Sequence, residues 1–137
     1  MRDFYVNLKS TDNLEHFPEN NAVSFTVNFP FDICSDGSSW KCALVDISHP
    51  PVKTKNTMIT LYCDDVDPTI IDENFSCILR RFPNRRFDGV AYSSPQYIKP
   101  KSERISQMSF TLRGDNNSEL EIEEGTTYIT LHFVIAE

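Results

Sequence analysis

Thr126-Thr-Tyr-Ile-Thr-Leu-His-Phe-Val134 alternates β-branched, aromatic and aliphatic residues at a period of two, the pattern of a strand with one face toward a core. Working back from it, similar runs recur with turn residues between them. Phe4 to Leu8 is a short strand ended by Ser10-Thr-Asp-Asn. Ala22 to Phe31 puts Val23, Phe25, Val27 and Phe29 on one sheet face, and Pro30, which cannot donate a ladder hydrogen bond, should end the pairing. Trp40 to Ile47 carries Trp40, Cys42, Leu44 and Asp46 on one parity and Ala43, Val45 and Ile47 on the other, as expected of a central strand. Thr57 to Cys63, Phe75 to Phe82, a Val90 to Ile98 stretch broken by Pro95, and Ile105 to Leu112 complete the set. Phe75, Cys77 and Leu79 share one parity in the second of these. Gly114-Asp-Asn-Asn-Ser118 signals a hairpin, with Leu120 to Glu123 extending it. No helical period lasts ten residues, although Thr11 to Asn20 has room for one helical turn. About eight strands at this spacing predict one all-β domain over residues 1–137, a sandwich or barrel.

Composition agrees with a self-sufficient core. A chain of 137 residues buries roughly two-thirds of the surface its unfolded form exposes, and 39% hydrophobic residues with Phe 10 and Tyr 5 supply a ring-rich interior. The formal charge of -7 opposes binding to phosphate backbones, so nucleic acid is disfavoured as a partner. No run approaches the roughly 20 apolar residues of a membrane span, and the N-terminus lacks a secretory apolar core. Cys34, Cys42, Cys63 and Cys77 form no CxxC pairs and lie in or beside apolar runs, which predicts reduced structural thiols in a reducing compartment.

Nothing in the sequence writes out a catalytic constellation or a cofactor site. His16, His49 and His132 share no metal-ligand spacing, and His132, between Leu131 and Phe133, is read as part of the sheet. Asp64, Asp65 and Asp67 form an acidic turn that lacks the glycine and distal glutamate of a calcium loop. Glu119, Glu121, Glu123 and Glu124 read as charges guarding a sheet edge. Arg80, Arg81, Arg85 and Arg86, interleaved with Phe82 and Phe87, are the one basic concentration in an acidic chain. Planar guanidinium groups fit carboxylates well, so an acidic protein surface is their expected partner.

Taken in order, Phe4-Tyr-Val-Asn-Leu-Lys-Ser, Phe17-Pro-Glu-Asn-Asn before Ser24-Phe-Thr-Val, Trp40-Lys-Cys-Ala-Leu-Val-Asp-Ile-Ser-His-Pro, Leu61-Tyr-Cys-Asp-Asp-Val-Asp-Pro, Leu79-Arg-Arg-Phe-Pro, Tyr97-Ile-Lys-Pro and Ile129-Thr-Leu-His-Phe span nearly the whole chain. In this order the chain resembles capsid or capsid-associated proteins of Polinton/Maverick-like elements and related invertebrate DNA viruses. The resemblance implies a single eight-stranded antiparallel jelly-roll sandwich acting as a penton-like or minor capsid component rather than an enzyme. It also implies assembly with copies of itself, as a pentamer, or docking to a major capsid protein. The chain would then be made in the host cytoplasm and end in the virion, with the nucleus as an alternative place of assembly. Arg80, Arg81, Arg85 and Arg86 would pair with Asp64, Asp65 and Asp67 of a neighbour. Pro51 to Thr57 is a short link where the resembling proteins are longer, so an insertion there has no counterpart in this chain. The alternative from another class is a monomeric sandwich that binds a host protein or glycan through its loops and rings such as Trp40, Tyr92 or Tyr97.

Overall fold

The computed structural model describes residues 3–71, 74–84, 90–92, 94–102 and 104–135. Among the described residues ten strands follow one another: β1 Asp3–Lys9, β2 Ser24–Ile33, β3 Trp40–Ser48, β4 Met58–Cys63, β5 Thr69–Ile71, β6 Asn74–Ser76, β7 Ile78–Pro83, β8 Val90–Ala91, β9 Ile105–Arg113 and β10 Tyr128–Ile135. Eight of them form two four-stranded antiparallel sheets, ordered β1-β10-β3-β8 and β2-β9-β4-β7, and β5 and β6 make a separate two-stranded ribbon. The all-β expectation holds, and the strand number is corrected from about eight to ten. The added pair comes from the segment after the acidic turn and from a break at Cys77, which separates β6 from β7.

The period-two residues of both sheets meet in one core. Phe133, Leu131, Cys42 and Leu44 from the first sheet lie against Phe110, Met108, Leu61 and Phe25 from the second, all fully or almost fully buried. Two bulges change the parity expected from the sequence. Leu131 pairs with Leu44 and Thr130 with Asp46, so Val45 is an extra residue that turns Ile47 into the core and leaves Asp46 outside. Leu61 pairs with Arg80 and Tyr62 with Ile78, so Leu79 is extra and the strict alternation from Phe75 does not hold. Phe75 is exposed while Leu79 and Phe82 are buried. At the Gly114 turn, Asn116 and Asn117 take positive φ around a short 3-10 turn. Leu120 to Glu123 contributes only the isolated bridge of Ile122 to Val52, and Glu119 before it bridges Arg113, instead of a long hairpin.

β2 is paired with β9 as far as Asn28 and meets it again only at Ile33. Pro30 sits in that interval, where a donor is not required. The free edge of the paired half is covered by the β1–β2 connection. Asn20 accepts from Thr26 N–H at 2.9 Å and donates to Thr26 C=O at 2.8 Å, and Asn13 accepts from Asn28 N–H at 2.9 Å. Side-chain amides thus occupy an edge that is otherwise open to another strand.

Where β1, β2 and β10 converge, Thr127 is fully buried and every polar group is used. Its amide donates to Ser10 Oγ at 3.0 Å, its hydroxyl donates to Ala22 C=O at 2.6 Å, and its carbonyl accepts from Ser10 N–H at 2.9 Å. Thr127→Val keeps the shape and strips the hydroxyl from a buried acceptor, so denaturant unfolding should show a loss of about 1–3 kcal/mol. An unchanged midpoint would show that the junction does not hold these strands.

Candidate interaction surfaces

The acidic turn begins where β4 leaves its sheet. Asp65 faces inward, and its carboxylate accepts from Ser109 N–H at 2.9 Å and stands 3.8 Å from Cys63 Sγ. Burial pushes its carboxyl above the ordinary value, against the Ser109 hydrogen bond that pulls it down. The backbone of the turn is joined to the segment before β9: Asp67 N–H donates to Lys99 C=O, Lys101 N–H to Asp65 C=O, and Val66 bridges Pro100. Asp64 is exposed and Asp67 half-buried. Of the three acids expected at a subunit contact, Asp65 is therefore occupied within its own chain.

The arginines divide in the same way. Arg80 lies with its guanidinium carbon 3.8 Å from the centre of the Tyr92 ring and donates to Ser94 C=O at 3.0 Å. Arg81, opposite Thr60 in the register, is exposed, and its charge helps to hold the Asp115 carboxyl below the ordinary range. The larger causes of that depression are the backbone N–H groups of Thr57 and Met58, which Asp115 accepts at 2.8 and 3.0 Å. Arg85 and Arg86, with Phe87, lie outside the described residues. Asp64 to Asp67 follow the Cys63 end of β4, while Pro83, the end of β7, pairs with Met58 at the other.

The outer face of the first sheet carries an array that sequence reasoning missed. His132 Nε2 lies 2.8 Å from Asp3 Oδ2 and Nδ1 lies 2.9 Å from Tyr97 Oη, with the Tyr5 ring stacked on the imidazole at 4.3 Å. A carboxylate only accepts, so Nε2 donates to Asp3, and the Tyr97 hydroxyl, which can donate or accept, partners Nδ1. Lys41 Nζ stands 5.4 Å from the centre of the Tyr97 ring. The array ties β1, β10 and the β8–β9 connection together. The only trace of it in the sequence is the outward parity of His132, because Asp3 and Tyr97 are distant along the chain. Trp40, weighed above as an exposed ring, is buried and donates its indole N–H to Asp36 at 2.9 Å.

All four cysteines are free thiols. Burial pushes Cys34 and Cys42 up to about 12 and holds Cys63 well above the ordinary thiol value. Such groups stay protonated and behave as apolar filling. Among the described residues no three His, Cys, Asp or Glu side chains gather as a metal site, and no helix is long and apolar enough to cross a membrane.

The chain matches no protein-family model and no curated protein. Among solved structures it is similar to the crystal structure of the mavirus penton protein, with a TM-score of 0.67 at 6% identity, over 98% of this chain and 100% of that one. At that identity the likeness is one of fold.

Because the folded state binds a proton at Asp65 more tightly than the unfolded state does, that site favours folding in acid. The advantage is full below the unfolded value near about 3.9 and is lost as pH rises through the raised folded value. Asp65→Asn keeps an acceptor for Ser109 without the buried charge and should be at least as stable as wild type at pH 7. Asp65→Ala strands the Ser109 amide and should lose about 1–3 kcal/mol in the same denaturation experiment. Equal losses in the two variants would contradict this assignment.

Proposed function

We propose that this chain is a structural component of a viral or transposon-derived capsid, penton-like or minor, that works by geometric complementarity without a catalytic step. The observation that carries the reading is the coextensive likeness to a penton protein, end to end on both chains. It is supported by the strand order. Successive strands β1 to β4 alternate between the sheets β1-β10-β3-β8 and β2-β9-β4-β7, and in the second half β7 and β9 belong to one sheet while β8 and β10 belong to the other. That alternation is what an eight-stranded jelly roll calls for, and it supports this reading with the β5–β6 ribbon as an addition. A sandwich of this kind offers two lateral edges and two loop ends, the faces that repeated subunit contacts in a shell require.

In this proposal the partners are copies of the chain itself, five to a ring, and a major capsid protein around the ring; the assembled protein resides in the virion. Pairing of arginines with carboxylates sets register between copies, with Asp64, Asp67 and the pair Arg85 and Arg86 as the candidates, since Asp65 and Arg80 make contacts within the chain and Arg81 acts on Asp115. A monomeric recognition module remains the competing reading, favoured by the exposed rings Tyr5, Tyr97 and Tyr128.

Light scattering on the purified chain should give a mass near five copies of 15.8 kDa, about 79 kDa, and a monomer at every concentration would favour the recognition module. Arg85→Glu/Arg86→Glu should weaken the assembly and lessen its dependence on salt. Unchanged assembly in that variant would remove the two arginines from the interface.

A further inference from the structure

We propose that the β5–β6 ribbon of one copy seats Ile70 and Phe75 in an apolar groove beside β1 and the bulged end of β2 of a second copy, so that the chains join head to tail. The inference rests on the self-assembling reading above and names its surfaces. Ile70 and Phe75 are directly opposed in the ribbon register and so project from the same face. They are 66% and 74% exposed. A two-stranded ribbon is marginal on its own in water, and this one belongs to neither main sheet. An apolar pair held out on such a ribbon lacks a cover that the rest of the sandwich gives its rings.

The groove lies on the opposite lateral edge. It has a volume of about 640 Å³ and is lined by Phe4 and Val6 of β1, Phe29, Phe31 and Ile33 of β2, and Trp40. The asparagine cover on the β2 edge is anchored at Thr26 and Asn28, where register with β9 also stops. Beyond it Phe31 is 70% exposed, at the mouth of the groove. In the second sheet β9 and β4 intervene between β2 and β7, which places the two edges about 14 Å apart at ordinary strand spacing. The occupant of the groove is then a ribbon from another copy.

The heights of the two surfaces agree. The ribbon follows the Cys63 end of β4, and the groove is at the end where β2 hands over to β3; both belong to the end at which β9 begins. Copies joined through these surfaces sit side by side without an axial step, the condition for a ring rather than a filament. Asp32 and Asp36 are the charged groups that line the groove, and hydrogen bonds from Trp40 and Ser38 keep Asp36 ionised. Lys99 and Lys101 of the β8–β9 connection stand at the base of the ribbon, where the Asp67 amide donates to Lys99 C=O and Lys101 lies near Cys77, Asp64 and Asp65 of its own chain.

The test compares wild type, Phe75→Ser and Phe31→Ser by native mass spectrometry, after circular dichroism has shown that these exposed substitutions leave the fold intact. Each variant alone should associate at least about 30-fold more weakly than wild type, the loss expected of a truncated anchor ring. An equimolar mixture should give one-to-one dimers and nothing larger, because it restores one intact ribbon with one intact groove. If wild type assembles and both variants assemble equally well, these surfaces are wrong while the capsid reading stands. If the variants are monomers and the mixture forms no dimer, the ribbon and the groove are not partners. A monomeric wild type overturns both readings and leaves the groove to a different protein. Should a serine variant misfold, hydrogen exchange of wild type decides. Residues 29–33 and 69–76 should gain protection together as concentration rises, and protection elsewhere alone would overturn the proposal.

Discussion

The structure depends on the insertion of β10 between β1 and β3. Ladder pairing with Asp3 to Lys9 on one side and, around the bulge at Val45, with Trp40 to Ser48 on the other fixes the place of β10 in the first sheet. Thr127 sets the height at which that insertion starts, through its three hydrogen bonds to Ser10 and Ala22. Without β10, β1 has no ladder partner and the core loses Ile129, Leu131 and Phe133 together. The apolar groove is a further consequence, since one of its walls is β1. A change that loosens the last strand is therefore felt at the first strand and at the surface between them.

The polar groups divide by the work already asked of them. Asp65, Arg80, Asp115 and His132 are each committed to contacts within the chain, and each fastens a connection to a sheet or one sheet segment to another. Outward, among many charged side chains, the chain also carries the apolar side chains of Ile70, Phe75 and Phe31, each more than half exposed. Burial keeps the thiols of Cys34, Cys42 and Cys63 protonated, so the sandwich is held by packing and hydrogen bonds.

Much of the sandwich was legible in the sequence because period-two alternation reports directly on burial. β1, β2, β3, β4, β9 and β10 all fall on runs that alternate, and the positive-φ asparagines lie in the turn that Gly114 announces. The bulges at Val45 and Leu79 were not legible. A bulge is set by the neighbouring strand, and a single extra residue reverses every later side chain. The β5–β6 ribbon was missed because three-residue strands give too short a pattern, and because Asp64 to Pro68 read as a turn with nothing structured after it. At the candidate surfaces, residue type alone marked Asp65 and Arg80 as exposed charges. Their engagement with Ser109 and Tyr92 depends on contacts between distant segments. The Asp3, His132 and Tyr97 array escaped for the same reason.

Electron-microscope class averages of the purified chain test the account most directly. The account predicts rings with five-fold symmetry in which each subunit touches its neighbours through its two opposite lateral edges. Single particles of 15.8 kDa size, or two-fold dimers joined by the same face on both copies, would contradict it.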